Sequence, residues 1–195
     1  MKQGPNYKLK QRRRREGKTN YYRRYTYVVS GVDRLVVRFT NKAILVSLQK
    51  FDPKGDLTVA SASSFELAKK YGWKGDLNNS TAAYLTGFLL GKRAIKAGVK
   101  EAVLDIGNRV PAKGSRLFIA TKGVIDSGLT VPMNLEVDEG RLRGEHVAKY
   151  AEMLEQQDPE RFKRVFSKYF ERGLNPKDLP SHFKEVLNKL SEASE

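Results

Sequence analysis

Three short runs of β-branched and aliphatic residues lie close together between residues 34 and 63, and they constrain the fold of this chain more than any other feature. The runs are Leu35–Phe39, Ile44–Leu48 and Leu57–Ala60. Asn41-Lys42 separates the first two runs, and a segment that contains Pro53 and Gly55 separates the second two. Because Asn tolerates left-handed backbone geometry and Pro followed by Gly suits a turn, the pattern predicts an antiparallel meander of three strands.

Helical signals and one further strand follow the meander. The predicted helices are a short one from Ser63 or Ser64 through Lys70, a longer one that Ser80 caps and Gly98 ends, and a third that Ser115 caps and Gly128 closes. Residues 102–107 form a short apolar run that ends in Gly, which is typical of a buried strand reached by a helical crossover. Gly87 and Gly91 lie four residues apart in the long helix, so we expect that helix to pack closely on the sheet.

The order of these elements predicts an α/β fold over residues 26–130, a mixed sheet of three antiparallel strands plus one parallel strand with packed helices. Residues 1–25 contain Gly4, Pro5 and Gly17 but no periodic apolar face, so we expect a basic extended N-terminal arm that is largely disordered until its partner binds. Residues 131–195 contain three stretches with helical periodicity. We therefore expect a mainly helical C-terminal extension that packs on the main domain or on a neighbouring protein.

Positive charge is concentrated at the N-terminal end. Residues 1–25 hold ten Lys or Arg side chains and one acid, and the whole chain has a formal net charge of +15. Like charges at that density repel one another, whereas a polyanion gains because each neutralised phosphate releases a counterion. Arg offers a planar fork to phosphate, and the interleaved tyrosines offer faces for unpaired bases. The composition therefore favours RNA or another polyanion as the partner.

Other functions are disfavoured by what the sequence lacks. The chain has no cysteine, which excludes disulfides, thiolate chemistry and cysteine zinc sites. It contains no apolar run of membrane-spanning length and no apolar signal region at its N-terminus, so we expect a cytosolic protein with no membrane partner. A membrane-surface or nuclear-targeting role for the basic segment is the less favoured alternative.

The candidate chemical groups do not form a recognisable active site. His146 and His182 lie in the predicted helical tail without metal-ligand spacing, so solvated or RNA-adjacent positions are expected for both. Asp105 and Asp126 are expected to have structural or capping roles. No Ser, His and acid form a nucleophile arrangement, so we predict no catalytic residue, no metal, no cofactor and no small-molecule substrate.

Residues 107–116 follow a predicted strand and open a helix, a position at which free helix N–H groups can bind phosphate. The segment has neither the Walker A order nor the GxGxxG pattern. Two interpretations stay open. One is an anion-binding loop that uses Arg109, Lys113 and Arg116, and the other is a plain connecting loop.

Several stretches, in their order and spacing, resemble one known family over essentially the whole chain. They are RRRREGKTNY at 12–21, RLVVR at 34–38 with NK at 41–42, ASA at 60–62, YGW at 71–73, AYLTG at 83–87, EAVLDIG at 101–107 and GVIDSGL at 123–129. Together they are similar to the archaeal form of the large-subunit ribosomal L-eighteen family, which is related to the eukaryotic large-subunit protein L-five.

This resemblance implies a non-catalytic ribosomal protein in the cytoplasm that binds 5S ribosomal RNA and helps to attach it to the large subunit in the central protuberance. It implies RNA contacts by Arg12, Arg13, Arg14, Arg15, Lys18, Tyr21, Tyr22, Arg23, Arg24, Arg34, Arg38, Asn41 and Lys42, and also by Arg109, Lys113 and Arg116. It further implies that the tail contacts 23S ribosomal RNA or neighbouring large-subunit proteins. The alternative is a basic RNA-binding assembly factor or chaperone that does not reside in the ribosome.

Overall fold

A four-stranded mixed sheet forms the centre of the computed structural model, which describes residues 4, 6–133 and 136–192. The strands are β1 (Arg34–Phe39), β2 (Ile44–Lys50), β3 (Leu57–Ser63) and β4 (Val103–Asp105), in the order β3-β2-β1-β4. β1 and β3 run antiparallel to β2, and β4 runs parallel to β1. The predicted mixed sheet of three antiparallel strands plus one parallel strand is therefore confirmed. The remaining residues of the predicted arm and tail (1–3, 5, 134–135 and 193–195) lie outside the described residues.

Ten α-helices are described in residues 4, 6–133 and 136–192. Five belong to the N-terminal segment and the sheet domain: α1 (Arg12–Arg15), α2 (Tyr21–Ser30), α3 (Ser64–Tyr71), α4 (Ser80–Lys96) and α5 (Arg116–Asp126). The other five form the tail: α6 (Glu139–Arg143), α7 (Glu145–Gln157), α8 (Pro159–Val165), α9 (Ser167–Glu171) and α10 (Leu179–Glu192). A 3₁₀ turn, Pro176–Asp178, leads into α10. The helical C-terminal extension is thus confirmed.

The prediction of an extended arm is wrong for residues 12–15, which form the single turn α1, and for residues 21–25, which form the first half of α2. Asn20 explains the helix start, because its side-chain oxygen accepts hydrogen bonds from the backbone N–H of Tyr22 (3.1 Å) and Arg23 (3.3 Å). The capping residue of α4 also differs from the prediction. Its cap is Asn79, whose side chain accepts from the Ala82 N–H at 2.7 Å, and not the predicted Ser80.

α4 is the central helix of the core, and its two spaced glycines face α5 and not the sheet as expected. A Cβ added at Gly87 would overlap the carbonyl of Ala120, and one added at Gly91 would overlap the Ser127 hydroxyl. In the other direction, a Cβ at Gly123 of α5 would overlap the carbonyl of Tyr84. Glycines on both helices therefore permit a closer approach of the two backbones than side chains would allow.

The tail packs into the same core as the sheet. α10 contributes Leu179, Phe183, Val186 and Leu190, each at most 3% exposed, to the main cluster of buried apolar side chains. Helices α7 and α8 add a smaller apolar cluster that contains Leu154 and Phe162. An amphipathic helix whose apolar stripe is buried in this way is held by the hydrophobic effect.

His182 of α10 is buried, contrary to the expectation of a solvated or RNA-adjacent position. Its ring stacks on Trp73 with a centroid distance of 5.1 Å and an interplanar angle of 14°. Nε2 accepts a hydrogen bond from the backbone N–H of Lys74 at 3.1 Å, and Nδ1 lies 3.4 Å from a carboxylate oxygen of Glu185. Burial lowers the pKa of His182, although Glu185 opposes that shift.

Candidate nucleic-acid interface

Helix α2 is attached to the face of the sheet that points away from α4. The Tyr27 hydroxyl donates to the Leu104 carbonyl of β4 at 3.2 Å, and Arg23 donates to the Gly107 carbonyl at 3.1 Å. Burial raises the pKa of Tyr27, with Asp105 adding to the shift, so the phenol stays protonated as a donor. The C-terminal end of the predicted arm therefore lies on a helix that is fixed to the sheet domain.

A buried charge network lies beneath α2. Arg34 is 4% exposed, and its guanidinium binds Asp56 at 2.5 Å and Asp105 at 3.2 Å. The second oxygen of Asp56 accepts from Arg24 of α2 at 2.9 Å. The second oxygen of Asp105 accepts from the Gly107 N–H at 2.8 Å. Because Asp105 and the partly buried Asp56 each have at least two donors, the network offsets much of the cost of burying charge, although Arg34 Nε is buried without a hydrogen-bond partner.

The network includes one of the predicted RNA contacts. Arg34 is buried and paired with two carboxylates, so it has a structural role in this network, and its RNA contact stays a prediction. Arg38, four residues further along β1 on the same face, is half-exposed and donates to the Asp105 and Val37 carbonyls at 3.0 and 2.9 Å. The expected structural role of Asp105 is confirmed by these contacts.

A cleft of about 560 Å³ separates the N-terminal segment from the open sheet face. Its described lining holds more basic than acidic side chains: Arg13, Lys18, Arg23, Arg24, Arg34 and Arg38 against Asp56 and Asp105. The sheet contributes its outward-facing positions Val36, Leu45, Ser47 and Gln49 as the floor. The structure thus brings four of the predicted arm residues and the predicted strand residues Arg34 and Arg38 to one concave basic surface, whereas Arg12, Arg14, Arg15, Tyr21 and Tyr22 do not line it.

Local contacts shape the arm around this cleft. Arg13 Nε donates to the Thr19 hydroxyl at 2.7 Å, and the side-chain amide of Asn108 donates to the Gly17 carbonyl. The Arg14 guanidinium lies 5.3 Å from the centre of the Tyr22 ring. Arg12 to Arg15 all remain exposed on their single helical turn. The arm is therefore folded back on the loop after β4, and its four consecutive arginines stay exposed even though Arg13 and Arg14 contact neighbouring side chains.

The loop after β4 is tied to the end of β1 through one aromatic ring. Arg109 and Arg116 lie 5.2 and 5.1 Å from the centre of the Phe39 ring. Arg109 also donates to the Phe39 carbonyl at 3.2 Å. Cations at this distance from a ring are held by cation–π attraction, so both guanidinium groups are kept beside the end of β1. Lys113 is exposed at the far end of the loop.

Arg116 has a second, structural set of contacts. It donates to both the carbonyl and the side-chain oxygen of Asn78, the latter at 2.7 Å. The Asn78 amide in turn donates to the carbonyls of Thr40 and Asn41 in the β1–β2 turn, at 3.1 and 3.2 Å. Asn41 and the neighbouring Lys42 are exposed beside this cluster. Ser115 occupies the cap position of α5, but its side chain makes no capping hydrogen bond.

Sequence reasoning missed three residues that organise this surface: Asp56, Phe39 and Asn78. Asp56 carried a signal, because an acid inside a strongly basic region is a candidate partner for a buried cation.

The described residues 4, 6–133 and 136–192 contain no group of three or more His, Asp or Glu side chains placed to hold a metal ion. None of the helices that the structure describes combines the length and apolarity needed to cross a bilayer.

Comparison with known proteins gives one consistent result. The family described as ribosomal large subunit proteins 60S L5 and 50S L18 matches residues 5–101. A protein of Sulfurisphaera tokodaii named large ribosomal subunit protein uL18 is 65% identical over 191 residues, covering 97% of both chains. Proteins with the same name from Metallosphaera sedula and Saccharolobus solfataricus are 62% and 58% identical, over 97% and 96% of this chain and 97% and 94% of their own lengths.

Proposed function

Because the chain belongs to the family of ribosomal large subunit proteins 60S L5 and 50S L18, we propose that it is a structural constituent of the large ribosomal subunit that binds 5S ribosomal RNA. We further propose that it attaches this RNA to the subunit in the central protuberance. The observation that carries the RNA-binding part is the basic cleft between the arm and the open sheet face, with the exposed arginines of α1 beside it.

The arrangement suits binding to structured RNA. Arg12 to Arg15, Lys18 and Arg23 are exposed on the N-terminal segment, while Asn41, Lys42, Arg109 and Lys113 are exposed on the β1–β2 turn and on the loop after β4. Cations at separate places on a rigid support neutralise phosphates at fixed spacing, so the protein reads the shape of the RNA. The exposed ring of Tyr22 adds a face for an unpaired base.

The tail has a different proposed partner. Residues 136–195 hold 11 basic and 13 acidic side chains, so they lack the excess positive charge of the arm. We place neighbouring large-subunit proteins or 23S ribosomal RNA against it. The proposal needs no catalytic residue, metal, cofactor or small-molecule substrate, and it locates the protein on the ribosome.

The test is binding of the purified protein to 5S ribosomal RNA across a salt series, with an unrelated structured RNA of equal length as competitor. We expect saturable binding that resists the competitor at moderate salt. Equal binding to both RNAs that disappears together as the salt concentration rises would reduce the protein to a general polycation. Loss of the protein from large subunits in a high-salt wash, with 5S binding retained, would instead favour an assembly factor outside the ribosome.

A further inference from the structure

A second concave surface lies along a neighbouring stripe of α2 and shares Arg24 with the basic cleft. Positions 21, 24, 25 and 28 of the helix line it, which is the spacing of one helical face. Residues 8–11 form one wall, and Phe51, directly after β2, forms the other. The surface, here called the Phe51 groove, has a volume of about 600 Å³.

The Phe51 groove combines exposed aromatic rings with positive charge. Tyr25 is 72% exposed and Phe51 is 44% exposed. Removing aromatic rings of this size from water would be energetically favourable. Of the lining side chains that the structure describes, Lys8, Lys10, Arg14 and Arg24 are cationic and none is acidic. A partner that suits this groove must therefore offer flat apolar surfaces and negative charge together.

The backbone beneath Phe51 is held on both sides. Lys50 pairs with Leu57 at the end of the β2–β3 ladder. Inside the turn, the Asp52 side chain accepts from the Lys54 N–H at 2.7 Å, and Asp56 is fixed by Arg34 and Arg24. The ring of Phe51 is thus presented from a supported turn, which lowers the entropy cost of using it for binding.

We propose that the Phe51 groove binds unpaired bases of RNA, with Phe51 and Tyr25 as the stacking faces and Lys8, Lys10 and Arg14 beside the phosphates. Single-stranded RNA supplies both properties that the groove requires, since every base has a flat face and every nucleotide carries a phosphate. A protein segment would need acidic residues interleaved with apolar ones to match it. This inference rests on the proposed function and assigns Phe51, which was not among the predicted contacts.

The test compares Phe51→Leu with Phe65→Leu, since Phe65 is 45% exposed on α3 and offers a matched control. Leucine keeps apolar volume but removes the ring. We expect Phe51→Leu to weaken binding to 5S ribosomal RNA by about 5- to 100-fold, the loss of one stacked base, with the salt slope unchanged. Phe65→Leu should bind like the parent protein, and circular dichroism should show both variants folded.

Binding of Phe51→Leu within about twofold of the parent protein would overturn the inference. Unchanged RNA affinity with reduced incorporation into subunits would also overturn it and would point to a protein partner. If the parent protein does not prefer 5S RNA, the proposed function fails, and short oligouridylate and duplex RNA become the probes. Weaker binding of Phe51→Leu to oligouridylate alone would then still support the groove, and an equal effect on both probes would overturn it.

Discussion

The two ends of the chain are attached to the same sheet domain by opposite kinds of interaction. Within the described residues 12–15 and 21–30 none is fully buried, and the segment is held by hydrogen bonds and ion pairs such as Arg24–Asp56. The tail instead inserts Phe183, Val186 and Leu190 of α10 into the core. A polar attachment responds to salt and to an anionic partner, whereas an apolar one responds to whatever unfolds the domain.

The largest expected effect is on the tail. Phe183 is 3% exposed, and its ring centre lies 5.6 Å from that of Tyr84. Phe183→Ala should lower the free energy of unfolding by about 3–5 kcal/mol, because it removes apolar contacts and leaves a cavity. Urea unfolding measures the loss. The arm counterpart is Tyr25→Ala, an exposed ring whose removal should change stability by no more than about 0.5 kcal/mol.

Similar losses for Phe183→Ala and Tyr25→Ala would contradict the comparison between the two ends. They would mean that the arm is part of the cooperative core. A small loss for both variants would mean that α10 does not pack on the domain as described.

The second effect concerns the buried charge network beneath α2. Arg34→Met removes the buried cation from Asp56 and Asp105, which keep Arg24 and Arg38 as weaker partners. We expect a loss of about 2–3 kcal/mol in the free energy of unfolding, less than for a pair left wholly without a partner. Hydrogen exchange should accelerate in residues 21–30 more than in α10. An equal acceleration in both helices would show that the network supports the whole domain and not the arm.

Elements with a regular apolar pattern could be predicted from the sequence, and elements held by long-range polar contacts could not. The three strands of the meander and the crossover strand were correctly predicted, because their patterns and turn residues are local. Helix α2 was missed since arginines interrupt its apolar stripe, although Asn20 was an available capping signal. Arg34 looked like a surface cation because its partners Asp56 and Asp105 lie 22 and 71 residues away along the chain.

Where a feature was predicted correctly, the sequence still did not show which element packs against it. The close approach implied by Gly87 and Gly91 was correct, but the sequence pattern could not show that α5 and not the sheet occupies the space. For the candidate site, the residue types indicated a basic surface, and the structure supplied which of them share one cleft. Exposure separates Arg12 to Arg15 from Arg34, and no local pattern distinguishes a solvated arginine from a buried one.

The third effect distinguishes the N-terminal arm from the tail by the salt dependence of RNA binding. Replacing Arg12 to Arg15 by Ala should lower the slope of log affinity against log salt by about 2–3 for 5S ribosomal RNA, if three or four phosphate contacts are lost. The matched variant changes four exposed cations of the tail, Arg161, Lys163, Arg164 and Lys168, to Ala. We expect that variant to keep the parent slope. Equal slopes for all three proteins would refute the assignment of 5S binding to the arm.

The smallest effect is a pH dependence that belongs to the tail. Neutral His182 accepts the Lys74 N–H at Nε2, and burial holds its pKa below the ordinary 6.5. At pH values above 6.5 this contribution to stability is complete. As the pH falls below 6.5 the unfolded chain takes up the proton first, so stability declines until the lowered folded-state pKa is passed.

His182→Gln should therefore flatten the dependence of the urea midpoint on pH below 6.5, and it should leave the salt slope of RNA binding unchanged. His146 is exposed on α7, where partial desolvation and Arg141 also lower its pKa, so His146→Gln should flatten the same region and serves as the exposed comparison. The distinguishing measurement is hydrogen exchange of the Lys74 amide, which His182 protects directly. Faster exchange at Lys74 in His182→Gln but not in His146→Gln would tie the pH response to the contact between α10 and the sheet domain. Equal protection of the Lys74 amide in both variants would show that the pH dependence of stability does not come from the contact between His182 and Lys74.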